Sequence, residues 1–341
     1  LRDSRGRVAA IVEQKDCTPE QFALTESNPG MYVYNSEFLR AGLPRIKTNN
    51  VQKEYYLTDL VGIAIADGKK VESYTLADRL ETIGVNSREE LARAAATLRD
   101  RINRGHMAAG VTIEDPAHTI IGPLVEIGRD TVIEAGARIL GATTIGDGCA
   151  IEAGARVISS RIDAGSTIEA GCRIEWSVIG RGVHLKQNCV LEKCKVEDGV
   201  EFGPMSRVRP DSTLGPGVKV GNFVEFKKAK VGAGTKAAHL SYIGDAEIGE
   251  RVNIGCGFIT CNYDGVVKSK TVVEDDVFIG SDSQAVAPVT IRRGAYIGSG
   301  STITREVPAD ALALTRSALV IKEGWAAEKR QSKKSKVKGK K

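Results

Sequence analysis

A parallel β-helix carried on the end of a smaller α/β segment is the fold class this sequence predicts. Three observations predict it. From Val111 to about Thr304 an aliphatic residue returns almost every six positions, usually with a small or acidic residue after it. Examples are Ile127-Gly128, Ile133-Glu134, Ile145-Gly146, Ile151-Glu152, Ile248-Gly249, Ile254-Gly255 and Ile297-Gly298. This period fits neither an amphipathic helix nor an alternating strand; each hexad makes one flat side of a coil, a hexapeptide-repeat solenoid. Aromatic residues are scarce (5%) and glycines plentiful (37), which suits thin coils with tight corners better than a core of large rings. Ahead of the repeat, short strand-like and helix-like runs alternate.

In chain order, residues 7–12 (RVAAIV), 31–34 (MYVY) and 71–76 (VESYTL) read as strands, with Gly30 as turn punctuation. Residues 36–42 and 58–67 read as helices. The alternation is too short to bury a complete parallel sheet, so residues 1–86 read as the C-terminal part of an α/β domain. The chain opens on Leu1 inside a strand-like run and is expected to be a fragment of a longer protein. Residues 87–109 read as a linker helix, since Ser87 offers an N-cap and Leu91, Leu98 and Ile102 share a helical spacing. The solenoid then occupies 110–306, and 307–341 form a C-terminal segment.

Irregularities in the period are informative. Rows shorten to five residues at Val157–Arg161, Ile174–Val178, Leu191–Lys195 and Phe226–Lys230. The first three start 17 residues apart, which points to one consistently tighter corner of a triangular coil. Two stretches, 237–247 (AAHLSYIGDAE) and 258–271 (FITCNYDGVVKSKT), break the rhythm and read as insertions. Insertions in a solenoid project as loops from one face, often the binding face.

Composition excludes several functions. The formal charge of +5 comes from residues 329–341, which hold eight Lys or Arg and no acid and leave 40 cations against 43 acids elsewhere. The basic run reads as a solvated end rather than a nucleic-acid groove. No segment is long and apolar enough to span a membrane. The seven cysteines form no CxxC pair and fall mostly inside hexads, as reduced cytoplasmic thiols filling small spaces would.

Four histidines, His106, His118, His184 and His239, lack the spacing of a metal site. His239 alone lies in a stretch that reads as an insertion, beside Lys236, Ser241 and Tyr242, and it reads either as a structural histidine or as a general base. Glu225, one short coil earlier, reads as a partner that fixes the imidazole tautomer or as a solvated strand residue. Arg209, Lys227, Lys228 and Lys268 gather on consecutive coils, as a site for an anionic sugar phosphate would require. Each Gly-x-Gly is explained by a corner, and no phosphate-cradling loop joins a strand to a helix.

The block 220–264, VGNFVEFKKAKVGAGTKAAHLSYIGDAEIGERVNIGCGFITCNYDG, resembles the acetyltransferase half of the bifunctional family of N-acetylglucosamine-1-phosphate uridylyltransferase and glucosamine-1-phosphate acetyltransferase. The likeness extends through FIGSDSQAVAPVTI (278–291) and Lys322-Glu323-Gly324-Trp325. It reaches back through IVEQKDC (11–17), ESNPGMY (26–32), KEYYLTD (53–59) and GVNSREEL (84–91), and so covers all but the basic tail. It implies a left-handed parallel β-helix, against the usual right-handed crossover. It also implies a cytoplasmic homotrimer with acetyl-transfer sites between subunits, serving UDP-N-acetylglucosamine synthesis for peptidoglycan and lipopolysaccharide.

By the same resemblance His239 is the base that takes the proton as the glucosamine amine attacks acetyl-CoA, and Glu225 orients it. Arg209, Lys227, Tyr242, Asn253 and Lys268 hold the sugar phosphate. Cys256, Asn262, Tyr263, Ser281, Ser299, Arg316 and Lys322 lie along the acetyl-CoA path, and a main-chain amide or Asn262 serves the oxyanion. Cys256 stands where an alanine is expected in relatives. In the first domain Glu13 and Asn28 match sugar contacts, Thr58 lies near the sugar, and Asn86 matches a Mg²⁺ ligand. The family's Gly-rich nucleotide loop, its lysine and its Mg²⁺-binding aspartate have no counterpart in this sequence. One Asn does not make a Mg²⁺ site, so this chain is expected to lack uridylyl transfer from UTP. The competing classes are a non-catalytic oligomerisation scaffold, a metal-dependent hydratase of the hexapeptide type, and an acetyltransferase for serine or another sugar.

Overall fold

The computed structural model describes residues 1–315 and 317–330. The chain divides into two compact units, Leu1–Thr97 and the residues from Leu98 onward.

The first unit holds short helices α1 (Pro19–Phe22), α2 (Ser36–Gly42) and α3 (Asp59–Ala66). Asn35 caps α2, its side-chain oxygen accepting from the main-chain N–H groups of Glu37 (3.0 Å) and Phe38 (3.1 Å). Leu60, Val61 and Ala64 of α3 are buried with Ile46. Gly42 leaves room for that packing, because a Cβ there would lie 2.8 Å from a methyl of Leu60. The strands expected at 7–12, 31–34 and 71–76 do not form. The one ladder contact among the described residues of this unit is an isolated antiparallel bridge between Arg2 and Val8. An extended segment becomes a strand only beside a hydrogen-bonded neighbour; 7–12 has only the short stretch Leu1–Asp3 beside it, and 31–34 and 71–76 pair with no segment among the described residues. Val33 and Tyr74 are accordingly 101% and 88% exposed.

Helix α4 (Arg88–Ala108) contains the boundary between the units. It starts in a reciprocal cap. The Ser87 hydroxyl accepts from Glu90 N–H (3.1 Å), and the Glu90 carboxylate accepts from the N–H groups of Ser87 (2.9 Å) and Asn86 (2.7 Å). Near its end Asn103, fully buried, donates to the carbonyls of Pro116 (2.9 Å) and Thr119 (3.1 Å).

The second unit is a parallel β-solenoid of about 12 turns. Most strands are two or three residues long, and each pairs in parallel with a strand one coil away. The register brings Ile133, Ile151, Ile168, Leu185, Phe202, Val220, Ala237, Ile254, Ile279 and Ile297 into one inward column. All are buried. Burying each large member contributes roughly 1.5–3 kcal/mol. This column is the six-residue rhythm seen end-on.

The shortened rows are one corner. Ser159, Trp176, Lys193, Lys228 and Asp245 all take left-handed φ values of 45–49° there. The stretch 237–247 is not an insertion. It belongs to a strand, Lys236–Ile248, that pairs with Lys219–Val231 in unbroken register from Lys219 opposite Lys236 to Val231 opposite Ile248. Its inward residues are Ala237, Ser241, Ile243, Ala246 and Ile248, and the small ones hid the aliphatic period. The stretch 258–271 is a true insertion. Asn253 pairs with Phe278, 25 residues on, and the extra residues form a loop bridged by Tyr263 and Lys268.

All seven cysteines are free; Cys149, Cys172, Cys189 and Cys194 are buried and Cys256 is exposed. Among the described residues no helix is long and apolar enough to cross a membrane.

Candidate active site

The site is built on the two long strands Lys219–Val231 and Lys236–Ile248. Alternation turns Val224 and Phe226 inward, and Glu225 and Lys227 outward between them. The partner strand likewise buries Ser241 and Ile243 and presents Tyr242. Register then sets Asn222 beside His239, Glu225 beside Tyr242, and Lys227 beside Gly244.

Arg209 comes from the preceding coil, its main-chain N–H bonded to the Phe226 carbonyl (2.9 Å). Its guanidinium meets the Glu225 carboxylate at 2.9 Å. Lys227 lies against Lys268 from the inserted loop. That contact and its charge, followed by partial desolvation and by Arg209, hold the Lys227 ammonium below the usual lysine range, while Asp245 opposes the shift. Asn262, buried at the start of the insertion, donates to the Asp245 carboxylate. Three cations therefore crowd one spot, and only two carboxylates offset them. Such a place favours a doubly charged phosphate.

His239 sits at the corner between the flats, exposed, and its imidazole makes no hydrogen bond among the described residues. Glu225 is engaged with Arg209 rather than with this ring. The other histidines differ. His118 is 2.7 Å from Asp115, His184 is 2.6 Å from Glu169, and burial pushes His106 below the usual range.

Tyr242 folds its phenol over Gly244, where a Cβ would lie 2.6 Å from the ring carbon Cζ. One coil on, Gly257 N–H bonds the Leu240 carbonyl (2.8 Å), which brings Cys256 beneath His239. Ser281 and Ser299 continue that exposed corner through bonds from Asp282 N–H to Cys256 (2.7 Å) and from Gly300 N–H to Ser281 (2.8 Å). Asn253 lies on the flat before the corner, between Lys236 and Phe278. Tyr263 is exposed on the loop, its hydroxyl donating to the Gly265 carbonyl (2.5 Å). Lys322 is exposed beyond the last strand, and Arg316 lies outside the described residues.

In the first unit Thr58 donates to Glu13 (3.1 Å), and the Asn28 amide donates to the Tyr32 hydroxyl. Asn86 gives its main-chain N–H to Glu90. No three His, Cys, Asp or Glu side chains converge as metal ligands among the described residues.

Two family models match the chain: the GMPPB C-terminal domain over residues 105–198 and the bacterial transferase hexapeptide (six repeats) over 270–305. The bifunctional protein GlmU of Trichlorobacter lovleyi is 49% identical over 338 residues, covering 97% of this chain and 68% of that protein. Its counterparts in Geobacter sulfurreducens and Geobacter metallireducens are 50% and 52% identical, each across 97% of this chain and 69% of the relative. The chain belongs to the bifunctional GlmU family. Its solenoid is accordingly the left-handed form. A solved UDP-N-acetylglucosamine acyltransferase from Francisella novicida is a distant likeness. It is 14% identical, with a TM-score of 0.32, over 59% of this chain and 66% of that one.

Several residues of this GlmU-family site carried no signal in the sequence reading. Asp245 hid in an apparent loop, and Ser241 looked like a flank of His239. Gly221 ended a regular hexad, and Gly244 lay in the stretch that read as an insertion. Their signal is the close approach of neighbouring atoms, visible only once the coils are stacked.

Proposed function

We propose that His239 is the general base of an acetyl transfer whose sugar-phosphate subsite is the Arg209, Lys227 and Lys268 cluster. The chain is an acetyl-CoA-dependent N-acetyltransferase acting on glucosamine-1-phosphate in UDP-N-acetylglucosamine synthesis, as its family membership establishes. The observation that carries the residue assignment is the convergence of three cations on one outward patch of the same neighbouring coils that carry His239, whose imidazole makes no hydrogen bond among the described residues. The cations take the phosphate, and Tyr242 and Asn253 flank the sugar. Cys256, Ser281 and Ser299 line the corner along which acetyl-CoA extends, with Asn262, Tyr263, Arg316 and Lys322 as further contacts.

In the reaction the substrate amine attacks the thioester carbonyl carbon and the C=O opens to an oxyanion. The imidazole takes the proton released from nitrogen. Collapse reforms the C=O and breaks the C–S bond, and the CoA thiolate leaves with the proton from the imidazolium. Glu225 acts by fixing Arg209.

A non-catalytic scaffold is not favoured, because it has no use for this cluster. Residues 1–86 are taken as the C-terminal part of the uridylyltransferase domain, with Glu13, Asn28 and Thr58 as sugar contacts and Mg²⁺ required for that second activity. A cytoplasmic homotrimer completes the reading, and sedimentation tests the assembly. The test of the base is CoA release with glucosamine-1-phosphate by His239→Ala. A drop in kcat on the order of 10²–10⁴ is expected. A value within a few-fold of the parent would remove His239 from this role.

A further inference from the structure

We infer that Gly221 sets the direction of the His239 side chain, by making room for a peptide bond turned over relative to its equivalents in other coils. The inference rests on His239 being the base. Gly203, Gly221, Gly255 and Gly280 occupy the same place before one corner, in different coils. At Gly203, Gly255 and Gly280 an added Cβ would approach a main-chain nitrogen of the next coil: Asn222 at 3.0 Å, Ser281 at 2.6 Å and Ser299 at 2.5 Å. At Gly221 it would instead lie 1.4 Å from the carbonyl oxygen of Ala238 and 2.1 Å from its carbonyl carbon. A carbonyl thus points where the other coils present a nitrogen, and that peptide is the one leading into His239.

Two other observations agree. Ser206, Ser241, Ser283 and Ser301 share one inward column just past the corner. Ser283 bonds only the Gly298 carbonyl of the next coil (3.4 Å), and Ser206 bonds the Gly221 carbonyl of the next coil (2.7 Å) as well as one in its own coil. Ser206 donates to the Gly203 carbonyl (2.9 Å) and Ser301 to the Gly298 carbonyl (2.5 Å), each three residues back. Ser241 donates to the His239 carbonyl (2.9 Å), two residues back. Ser241 is the one of the four that bonds the carbonyl two back, and the Ala238 carbonyl faces Gly221 instead. Leu240 also has φ 32°, whereas Met205 and Phe223 at the same corner have 60° and 59°.

Turning a peptide over changes ψ of the residue before it and φ of the residue after it. The peptide after His239 is displaced as well: Gly257 N–H takes the Leu240 carbonyl, whereas Met205, Asp282 and Gly300 N–H take those of Gln187, Cys256 and Ser281, one position earlier in the column. With both of its flanking peptides moved, His239 sends its Cα–Cβ bond in a different direction from its column neighbours. Gly221 is not needed here for a left-handed φ. It is needed because no side chain fits under the Ala238 carbonyl. Gly221 is thus a positioning residue that acts through His239.

The experiment compares the parent protein with Gly221→Ala, His239→Ala, the double variant, and Gly203→Ala as a control on the same column one coil away. Gly221→Ala is expected to lower kcat by about 10²-fold, the usual effect of an ångström-scale misplacement. KM for glucosamine-1-phosphate should stay within a few-fold, because Lys227 lies past the corner at Phe223 and Arg209 comes from the preceding coil. Adding Gly221→Ala to His239→Ala should cost nothing more, and Gly203→Ala should keep near-parent kcat. Equal losses in both backgrounds, or an equal loss in Gly203→Ala, would mean general damage to the corner and overturn the inference.

A crystal structure of Gly221→Ala gives a readout independent of rate. A 238–239 peptide turned to the orientation of the other coils, with a displaced imidazole, supports the inference; an unmoved imidazole overturns it. That reading holds even if His239→Ala proves active and the base assignment fails. Should Gly221→Ala not fold, Ser241→Ala removes the bond to the His239 carbonyl. A kcat about 10-fold lower at constant KM then supports the inference, and an unchanged kcat overturns it.

Discussion

A lysine at a protein surface holds a phosphate well only while it stays charged, and its neighbours decide how long that lasts. Lys227 is held below the ordinary lysine range, first by its contact with Lys268. The sign follows directly. Below its lowered pKa Lys227 is a full cation and contributes to phosphate binding; as pH rises through that value the contribution is lost. The ligand for the measurement is N-acetylglucosamine-1-phosphate, which has no amine to titrate. Its Kd should begin to rise in alkaline solution before the ordinary lysine range near about pH 10.4 is reached. Lys268→Ala should weaken binding at every pH but move this onset upward. A Kd that stays flat until the ordinary range, or an onset that Lys268→Ala leaves in place, would count against Lys227 as a phosphate ligand. The members of this cluster could be found from sequence because charged residues recur at coil spacing. Asp245 could not, since its place on the corner near Lys227 depends on a coil that small inward residues concealed.

Among the elements, those that carry their own stop and start signals were the legible ones. Helix α2 runs over Ser36–Gly42 as its pattern predicts, and α4 begins where Ser87 and Glu90 cap each other. Ser87→Ala should remove about 1 kcal/mol from the first turn of α4. Hydrogen exchange at residues 90 and 91 reports it, as roughly fivefold faster exchange there with later turns unchanged; unaltered exchange would mean that the cap carries no weight. The expected strands at 7–12, 31–34 and 71–76 failed for a reason no local signal reveals. A strand is a property of two segments, whereas a capped helix is nearly a property of one. The stretch 237–247 failed in the opposite way. Ala237, Ser241 and Ala246 are inward residues as small as loop residues, so a continuous strand looked like an interruption.

At the scale of the whole molecule, a solenoid differs from a globular core in how damage spreads. Each coil touches only its neighbours, so stability is close to a sum of local terms. The sugar-phosphate subsite and His239 lie on the coils between Arg209 and Lys268, and the coils before them serve as support. Ile168 is fully buried, with neighbours Ile151 and Leu185, well before those coils. Phe226 is also fully buried, but it separates Glu225 from Lys227 and its carbonyl holds the main chain of Arg209 (2.9 Å). Truncating either to alanine leaves a cavity and should destabilise its coil by about 2–5 kcal/mol. The catalytic consequences should differ. Ile168→Ala should keep kcat and KM within about twofold at a temperature where the protein stays folded, since local terms do not carry its cavity to distant coils. Phe226→Ala should raise KM for glucosamine-1-phosphate by roughly tenfold or more, because the backbone that aims three charged groups settles into the void. Thermal unfolding and steady-state kinetics on both variants separate the two effects. If Ile168→Ala disturbed KM as much as Phe226→Ala, the coils would be acting as one cooperative body, and the site could not be treated as the local product of two long strands and one loop.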